Sequence, residues 1–187
     1  MKLHVREMES DEACLVIDYF LTADKAYLNR LGVAADKLPS REKWNEILAQ
    51  DFERPLESRK FFYVIWELDG VPGGHSHIGD IVYGKEAYMH LHLWKPGQRK
   101  SGNGTWLVRE SIRIYFEKFS LERLFCQPNA LNSAPNRTLA KIGFEFLETL
   151  ETTPSWINYH QSINKWGLTK EHFDSISPEP GVTKHSL

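Results

Sequence analysis

The sequence predicts an α+β (mixed α/β) fold built on one central sheet, and three observations carry that expectation. Phe61 to Leu68 is a near-continuous apolar run, as a strand buried on both faces reads. Tyr88 to Trp94 alternates as a half-buried strand, then gives way to a glycine-rich cationic loop and an amphipathic helix. The segments also follow one another as strand, paired helices, a run of strands, then β-loop-α-β-α-β-β.

In chain order, Leu3 to Met8 alternates as an opening strand. Ser10 reads as an N-cap, and Ala13 to Leu31 carries its apolar residues on a helical face, as two helices that break near Thr22-Ala-Asp24. Gly32 ends that unit. Leu38-Pro39 is a joint, Ser40 a second N-cap, and Arg41 to Gln50 a helix with Trp44, Ile47 and Leu48 facing inward. Asp69-Gly70 gives a tight turn after the central strand, and Gly74 to Tyr83 alternates as the next one. Gly84-Lys85 turns into Tyr88 to Trp94, which Pro96 and Gly97 stop. Val108, Ile112, Tyr115, Phe116 and Phe119 recur at helical steps, so Thr105 to Phe119 is a helix. An apolar strand reaches Gln127-Pro128, a helix runs from about Ala134 to Gly143, and Glu145 to Thr152 is a strand. After Thr153-Pro154-Ser155, Trp156 to Trp166 reads as the last strand. Residues 1–170 are expected to form one domain and 171–187 a flexible tail, because Ser175 to Leu187 lacks periodicity.

The chain has 187 residues, 41% of them hydrophobic and 26% charged, enough for a buried core in a soluble protein. A net charge of −2 gives no electrostatic footprint for nucleic acid. Cys14 and Cys126 make no disulfide framework, no apolar run is long enough to cross a bilayer, and the N-terminus lacks the apolar stretch of a signal peptide. The expectation is a cytoplasmic protein without nucleic-acid or membrane partners, with homodimerisation left open.

A strand, a cationic glycine loop and a helix start together make a recipe for holding phosphates. Gly102 and Gly104 let backbone N–H groups turn inward, and the positive end of the helix adds to the field. The spacing is not G-x-x-x-x-G-K-[ST], because no lysine follows Gly104, nor is it G-x-G-x-x-G. Arg99-Lys-Ser-Gly-Asn-Gly104 matches Arg-x-x-Gly-x-Gly/Ala and so resembles the pyrophosphate loop of the GNAT acyl-CoA N-acyltransferases. A second block resembles the same family: Asn132 precedes a helix that closes on Lys141-Ile-Gly-Phe144, and it stands eleven positions before Gly143.

That resemblance implies the GNAT fold, a mostly antiparallel sheet of about seven strands flanked by helices. It implies an N-acetyltransferase that moves an acetyl group from acetyl-CoA, the acyl-donor cosubstrate, to an amine by direct attack in a ternary complex, with no metal. By resemblance, the N–H groups of Leu93 and Trp94 bind pantetheine and polarise the thioester carbonyl. Gln98, Arg99, Lys100, Ser101, Gly102, Asn103, Gly104 and Thr105 hold the diphosphate, with Asn132 and Asn136 on the far side of the cofactor.

The attacking amine must lose a proton, and a histidine is suited to take it. His90 and His92, two apart on a strand, share a face, while Leu91 and Leu93 take the other. His92 to Gly104 is similar to the run found in hydroxylysine-acylating enzymes of siderophore synthesis, whose base is that histidine. Their Glu-Pro-Asp-x-x-Asn aligns with Gln127-Pro-Asn-Ala-Leu-Asn132, where amides replace both carboxylates and can at most orient a substrate. The His-x-His pair is similar to the arylalkylamine acetyltransferases, and there is also local similarity to ribosomal-protein-alanine acetyltransferases. Leu139 stands where many GNAT enzymes keep a tyrosine as thiolate acid, which leaves the acid unassigned. Tyr27, Trp44, Asn129 and Tyr159 are the expected contacts of the acceptor, a small-molecule or protein amine. Alternatively these aromatics simply fill the core, the commoner fate of such residues.

Two rival readings stand beside this one. If Gly84-Lys85 is a two-residue hairpin, His77 falls opposite His92, and His75, His77, His90 and His92 share a sheet face that suits zinc or iron. No carboxylate stands at a ligand-like spacing, and a metal leaves the Arg99–Gly104 loop and the Asn132 block unexplained. The second rival is a non-catalytic module that binds acyl-CoA.

Overall fold

The computed structural model describes residues 1–94 and 103–177. Seven strands form one sheet: β1 Leu3–Glu7, β2 Phe61–Leu68, β3 Val71–Val82, β4 Glu86–Leu93, β5 Arg123–Cys126, β6 Glu145–Thr152 and β7 Gln161–Thr169. Their order is β1-β2-β3-β4-β5-β7-β6. Every neighbouring pair is antiparallel except β4 and β5, which run parallel. The helices are α1 Ala13–Leu21, α2 Lys25–Leu31, α3 Arg41–Phe52, α4 Asn103–Phe119, α5 Ser133–Ile142 and α6 Lys170–Ile176. None among the described residues is long and apolar enough to cross a membrane.

The apolar run of β2 explains the layering. Phe62, Val64 and Trp66 enter one core with Leu107, Ile112 and Phe116 of α4, Leu139 of α5 and Phe173 of α6. Tyr63 and Ile65 point the other way, into a second core with Val16, Ile17 and Phe20 of α1 and Trp44 and Leu48 of α3. The strand is thus buried on both faces, as its composition requires. In α4, Leu107, Val108, Ser111, Ile112, Tyr115, Phe116 and Phe119 form the single buried stripe expected of an amphipathic helix.

The two-helix reading of 13–31 holds, with Asp24 capping α2 by accepting from the Tyr27 N–H. Ser40 caps α3 in the same way. Ser10 does not act as an N-cap: Glu9 and Glu12 form a reciprocal capping box around a 3-10 turn over Ser10–Glu12. The last strand begins at Gln161, not at Trp156. Asn158 and Gln161 instead donate side-chain hydrogen bonds to the Gly32 carbonyl, 2.8 Å each, and fasten this segment to the end of α2. Gly32 has a left-handed φ of 78°, and a Cβ there would lie 2.1 Å from the Gln161 amide, so the junction admits only glycine. The expected tail from 171 is also corrected. Lys170–Ile176 is helical because Thr169 caps it and Phe173, 2% exposed, anchors it in the first core. Residues 178–187 lie outside the described residues.

Candidate active site

The ladder between β4 and β5 is short. It pairs Glu86 with Arg123, Ala87 with Leu124 and Tyr88 with Phe125, then stops. β4 continues to Leu93, still paired with β3. The chain after β5 turns instead to β7: the Asn164 N–H donates to the Pro128 carbonyl and the Ala130 N–H to the Ser162 carbonyl, 3.0 Å each. Two adjacent strands that start together and then take different partners enclose a wedge.

Asn136 fixes the far wall of this wedge. Its Nδ2 donates to the carbonyls of Asn129 at 3.1 Å and Asn132 at 2.8 Å. Its Oδ1 accepts from Asn164 Nδ2 and Trp166 Nε1, 2.9 Å each. Both ends of the amide are engaged, so Asn136 is a scaffold of the β5–α5 turn where a cofactor contact was expected. Asn136→Ala should lower stability by about 2 kcal/mol, because the half-buried Trp166 N–H loses its acceptor. The denaturant midpoint should fall at an unchanged m-value. Asn129 is held similarly, donating to Gln161 Oε1 at 2.7 Å and accepting from the Leu131 N–H at 2.9 Å. Asn132 stands at the N-cap of α5 without a side-chain capping bond.

On β4 the Trp94 N–H donates to the Gly73 carbonyl at 2.9 Å, so it is engaged by β3. The alternation of an extended strand turns the Leu93 N–H to the wedge side. Of the two polarising N–H groups expected, that of Trp94 is thus engaged within the sheet. Asn103, Gly104 and Thr105 form the first turn of α4, whose N–H groups have no intrahelical acceptors. Among the described residues, no heavy atom beyond its chain neighbours and the backbone of α4 itself lies within 4 Å of where a Cβ on Gly104 would be. Gln98, Arg99, Lys100, Ser101 and Gly102 lie outside the described residues.

Four imidazoles rise from the sheet face that carries α1. His75 pairs with His92 and His77 with His90. The opposed rings stack with centroids 4.7 and 4.6 Å apart and planes 22° and 13° from parallel. Tyr63 continues the column, 4.7 Å from His77. This register corrects the two-residue hairpin, which set His77 against His92. Tyr83, Gly84 and Lys85 make a three-residue loop, and an irregularity between Gly79 and Val82, with Asp80 at φ 47°, adds a residue to β3. Two added residues change the partners and keep the face. Gly74 is required beside them: a Cβ would lie 2.7 Å from the His92 carbonyl oxygen and 2.8 Å from the Trp66 ring.

Burial holds these rings neutral. Desolvation, with the neighbouring imidazole of His90, pulls His75 down to about 3. Desolvation takes His90 to about 4, against the attraction of Asp80. His77 and His92 are driven well below the ordinary histidine value by desolvation first and then by neighbouring imidazoles. His75 is 0% exposed, whereas His77, His90 and His92 are half-buried. The Trp94 indole N–H donates to His75 Nδ1 at 2.8 Å, which places the His75 proton on Nε2. His92 Nδ1 lies 3.3 Å from the Tyr19 hydroxyl, and that hydroxyl lies 2.8 Å from the Tyr27 hydroxyl.

Ligating nitrogens of His75, His77 and His92 come within 4.8 Å of one another. A metal ion must lie in the plane of every ring that binds it. The stacked planes of His75 and His92 share no such point unless a ring turns, and His75 Nδ1 is already occupied by Trp94. The column is better suited to handling protons than to holding a metal.

Of the expected acceptor contacts, Tyr27 is joined to His92 through Tyr19. Trp44 is 3% exposed between Phe20 and Trp156 and is core, not an open wall. The Tyr159 hydroxyl donates to the Asn29 carbonyl at 2.9 Å. Tyr19 was not among the sequence candidates. Its one signal is a hydroxyl bordering the apolar stripe of Val16, Ile17 and Phe20.

No protein-family model matches the chain, and no curated protein does. Solved structures do. The spermidine N-acetyltransferase from Vibrio cholerae, in complex with CoA and spermine, has a TM-score of 0.75 at 12% identity, over 92% of this chain and 98% of that one. RimL, a ribosomal L7/L12 α-N-protein acetyltransferase in complex with coenzyme A, has 0.73 at 14%, over 92% and 96%. The aminoglycoside acetyltransferase AAC(6')-Ib in complex with coenzyme A has 0.70 at 18%, over 94% and 99%. The fold is the GNAT fold. The architecture implied by Arg99–Gly104 and the Asn132 block is the one observed, with seven strands, one parallel junction, and a wedge at that junction.

Proposed function

We propose that this protein is an N-acetyltransferase that moves an acetyl group from acetyl-CoA to an amine within a ternary complex. The observation that carries the reading is the wedge beyond Tyr88 and Phe125, which opens beside His92 and ends where β4 leads toward the start of α4. Leu93 offers its N–H to the thioester carbonyl. Asn103, Gly104 and Thr105, with the preceding residues 98–102, receive the diphosphate on N–H groups at the positive end of a 17-residue helix. Acetyl-CoA supplies an activated acyl carbon, so no covalent enzyme intermediate is needed and positioning supplies much of the rate. His92 is the base that takes the amine proton, and its neutrality at pH 7 keeps its lone pair available for that step. The solved structures of similar fold hold coenzyme A, and one also holds spermine. Among the described residues, the side chains grouped around His92 are aromatic: Tyr19, Phe20, Tyr27 and Trp94, with the Arg30 guanidinium on the outer side of the Tyr27 ring. That lining favours an amine with an apolar body over a polycation.

Two measurements test the proposal. Calorimetric titration with coenzyme A should give saturable binding at one site. A panel of small amines and peptide N-termini with acetyl-CoA should show amine-dependent thiol release. Folded protein that takes up no coenzyme A would overturn the reading. Uptake with no thiol released for any amine would reduce it to a binding module.

A further inference from the structure

We propose that Tyr19, backed by Tyr27, is a positioning residue that keeps His92 in its Nδ1–H form and exchanges a proton with it. One neutral ring then serves first as base and later as acid. The inference rests on the acetyltransferase reading and supplies the acid that Leu139 cannot.

The hydroxyls of Tyr27 and Tyr19 and His92 Nδ1 form a continuous chain, with steps of 2.8 and 3.3 Å. Tyr27, at the outer end, is half-buried. The other ring beside His92 offers no such route. His75 lies face to face with it, which is not a hydrogen-bonding arrangement, and its Nδ1 already accepts from Trp94. With Nδ1 facing Tyr19, Nε2 is the nitrogen left for chemistry. An imidazolium here is disfavoured by desolvation and by the neighbouring imidazoles of His75 and His90. A chain that removes one proton as another arrives avoids it.

The proton count closes. As the N–C bond forms, His92 Nε2 takes the proton lost by the amine nitrogen. The Nδ1 proton passes to the Tyr19 oxygen, the Tyr19 proton to the Tyr27 oxygen, and the Tyr27 proton to water. The ring is again neutral, now as its Nε2–H form. When the C–S bond breaks with its electron pair on sulfur, the Nε2 proton goes to sulfur. Nδ1 then recovers a proton from Tyr19, Tyr19 from Tyr27, and Tyr27 from water. One proton has left the amine, one has reached the thiol, and His92 is back in its starting form.

Tyr19→Phe removes the hydroxyl and keeps the ring that packs on Phe20, His75, His92 and Trp94. It should lower kcat about tenfold or more, less than the ~10²- to 10⁴-fold of losing the acid–base group itself, with KM for acetyl-CoA unchanged. The 15N resonances of His92 should report the Nδ1–H form in the wild-type protein and lose that preference in the variant. Tyr27→Phe should show a smaller effect in the same direction, and the double variant should be no slower than Tyr19→Phe alone. Unchanged kcat in Tyr19→Phe, or His92 resonances that do not respond, would overturn the proposal. The resonances need no turnover. A wild-type protein that released no thiol would therefore sink the transferase reading, while the tautomer still decided whether Tyr19 governs His92. Thermal melting verifies that the variants fold, and if Tyr19→Phe does not, Tyr27→Phe reads the same chain one hydroxyl further out.

Discussion

His92→Ala is expected to lower kcat by about 10²- to 10⁴-fold, the range of a positioned general base, and to leave the dissociation constant of coenzyme A unchanged. His92 lies on the strand that borders the wedge, and its side chain faces α1. The Leu93 N–H and the α4 start, proposed to hold the cofactor, are separate groups that the substitution leaves in place. His90→Ala should cost less, because His90 stacks on His77 one rung further from the end of the strand. Steady-state kinetics beside calorimetry separates the two effects. A variant with full turnover would remove His92 from the mechanism, and one that loses coenzyme A affinity would place it in the binding site instead.

Mild acid should destabilise the fold, and the histidine column is the reason. An unfolded histidine takes up its proton near pH 6.5, whereas His75 in the folded protein does so only at about 3. Between those values the unfolded state binds more protons, so stability falls as pH falls. The full contribution is present above about pH 6.5 and is lost progressively below it. His75 alone accounts for about 2 kcal/mol by pH 5, at ~1.4 kcal/mol per pH unit. His77, His90 and His92 act with the same sign. Glu12 and Glu67, held below their ordinary values first of all by the hydrogen bonds from Arg6, lose their share only at lower pH and do not blur this window. Urea midpoints at pH 7.5, 6 and 5 should decline steadily, and a flat series would show that the rings charge without resistance.

The elements legible in the sequence were those whose physics is local. The doubly buried β2, the α4 stripe, the Asp24 break between α1 and α2, and Gly143 ending α5 follow from periodicity and capping. The shared face of the histidines was legible because alternation survives any even change of register. Their partners were not, because the added residue near Asp80 leaves no compositional trace. Trp156 to His160 has the aromatics of a strand, yet Asn158 answers to Gly32, more than a hundred residues away in sequence. α6 is seven residues long and mostly polar, so only the Thr169 cap and Phe173 reveal it. Trp44 shows the same limit from the other side, since an aromatic near a site and an aromatic filling core have the same letter. Tyr19 matters through a hydroxyl that meets His92, and that meeting depends on how α1 docks on the sheet.

The three rungs that join β4 to β5 make the sheet, mechanically, two plates with a brief seam. α4 lies against β1 and β3 and against α5, and its buried residues share one core with Val64 and Trp66 of β2, Leu124 of β5 and Leu168 of β7. Side-chain packing from α4, with Ile112, Tyr115 and Phe116 in that common core, thus joins the two plates where backbone pairing is brief.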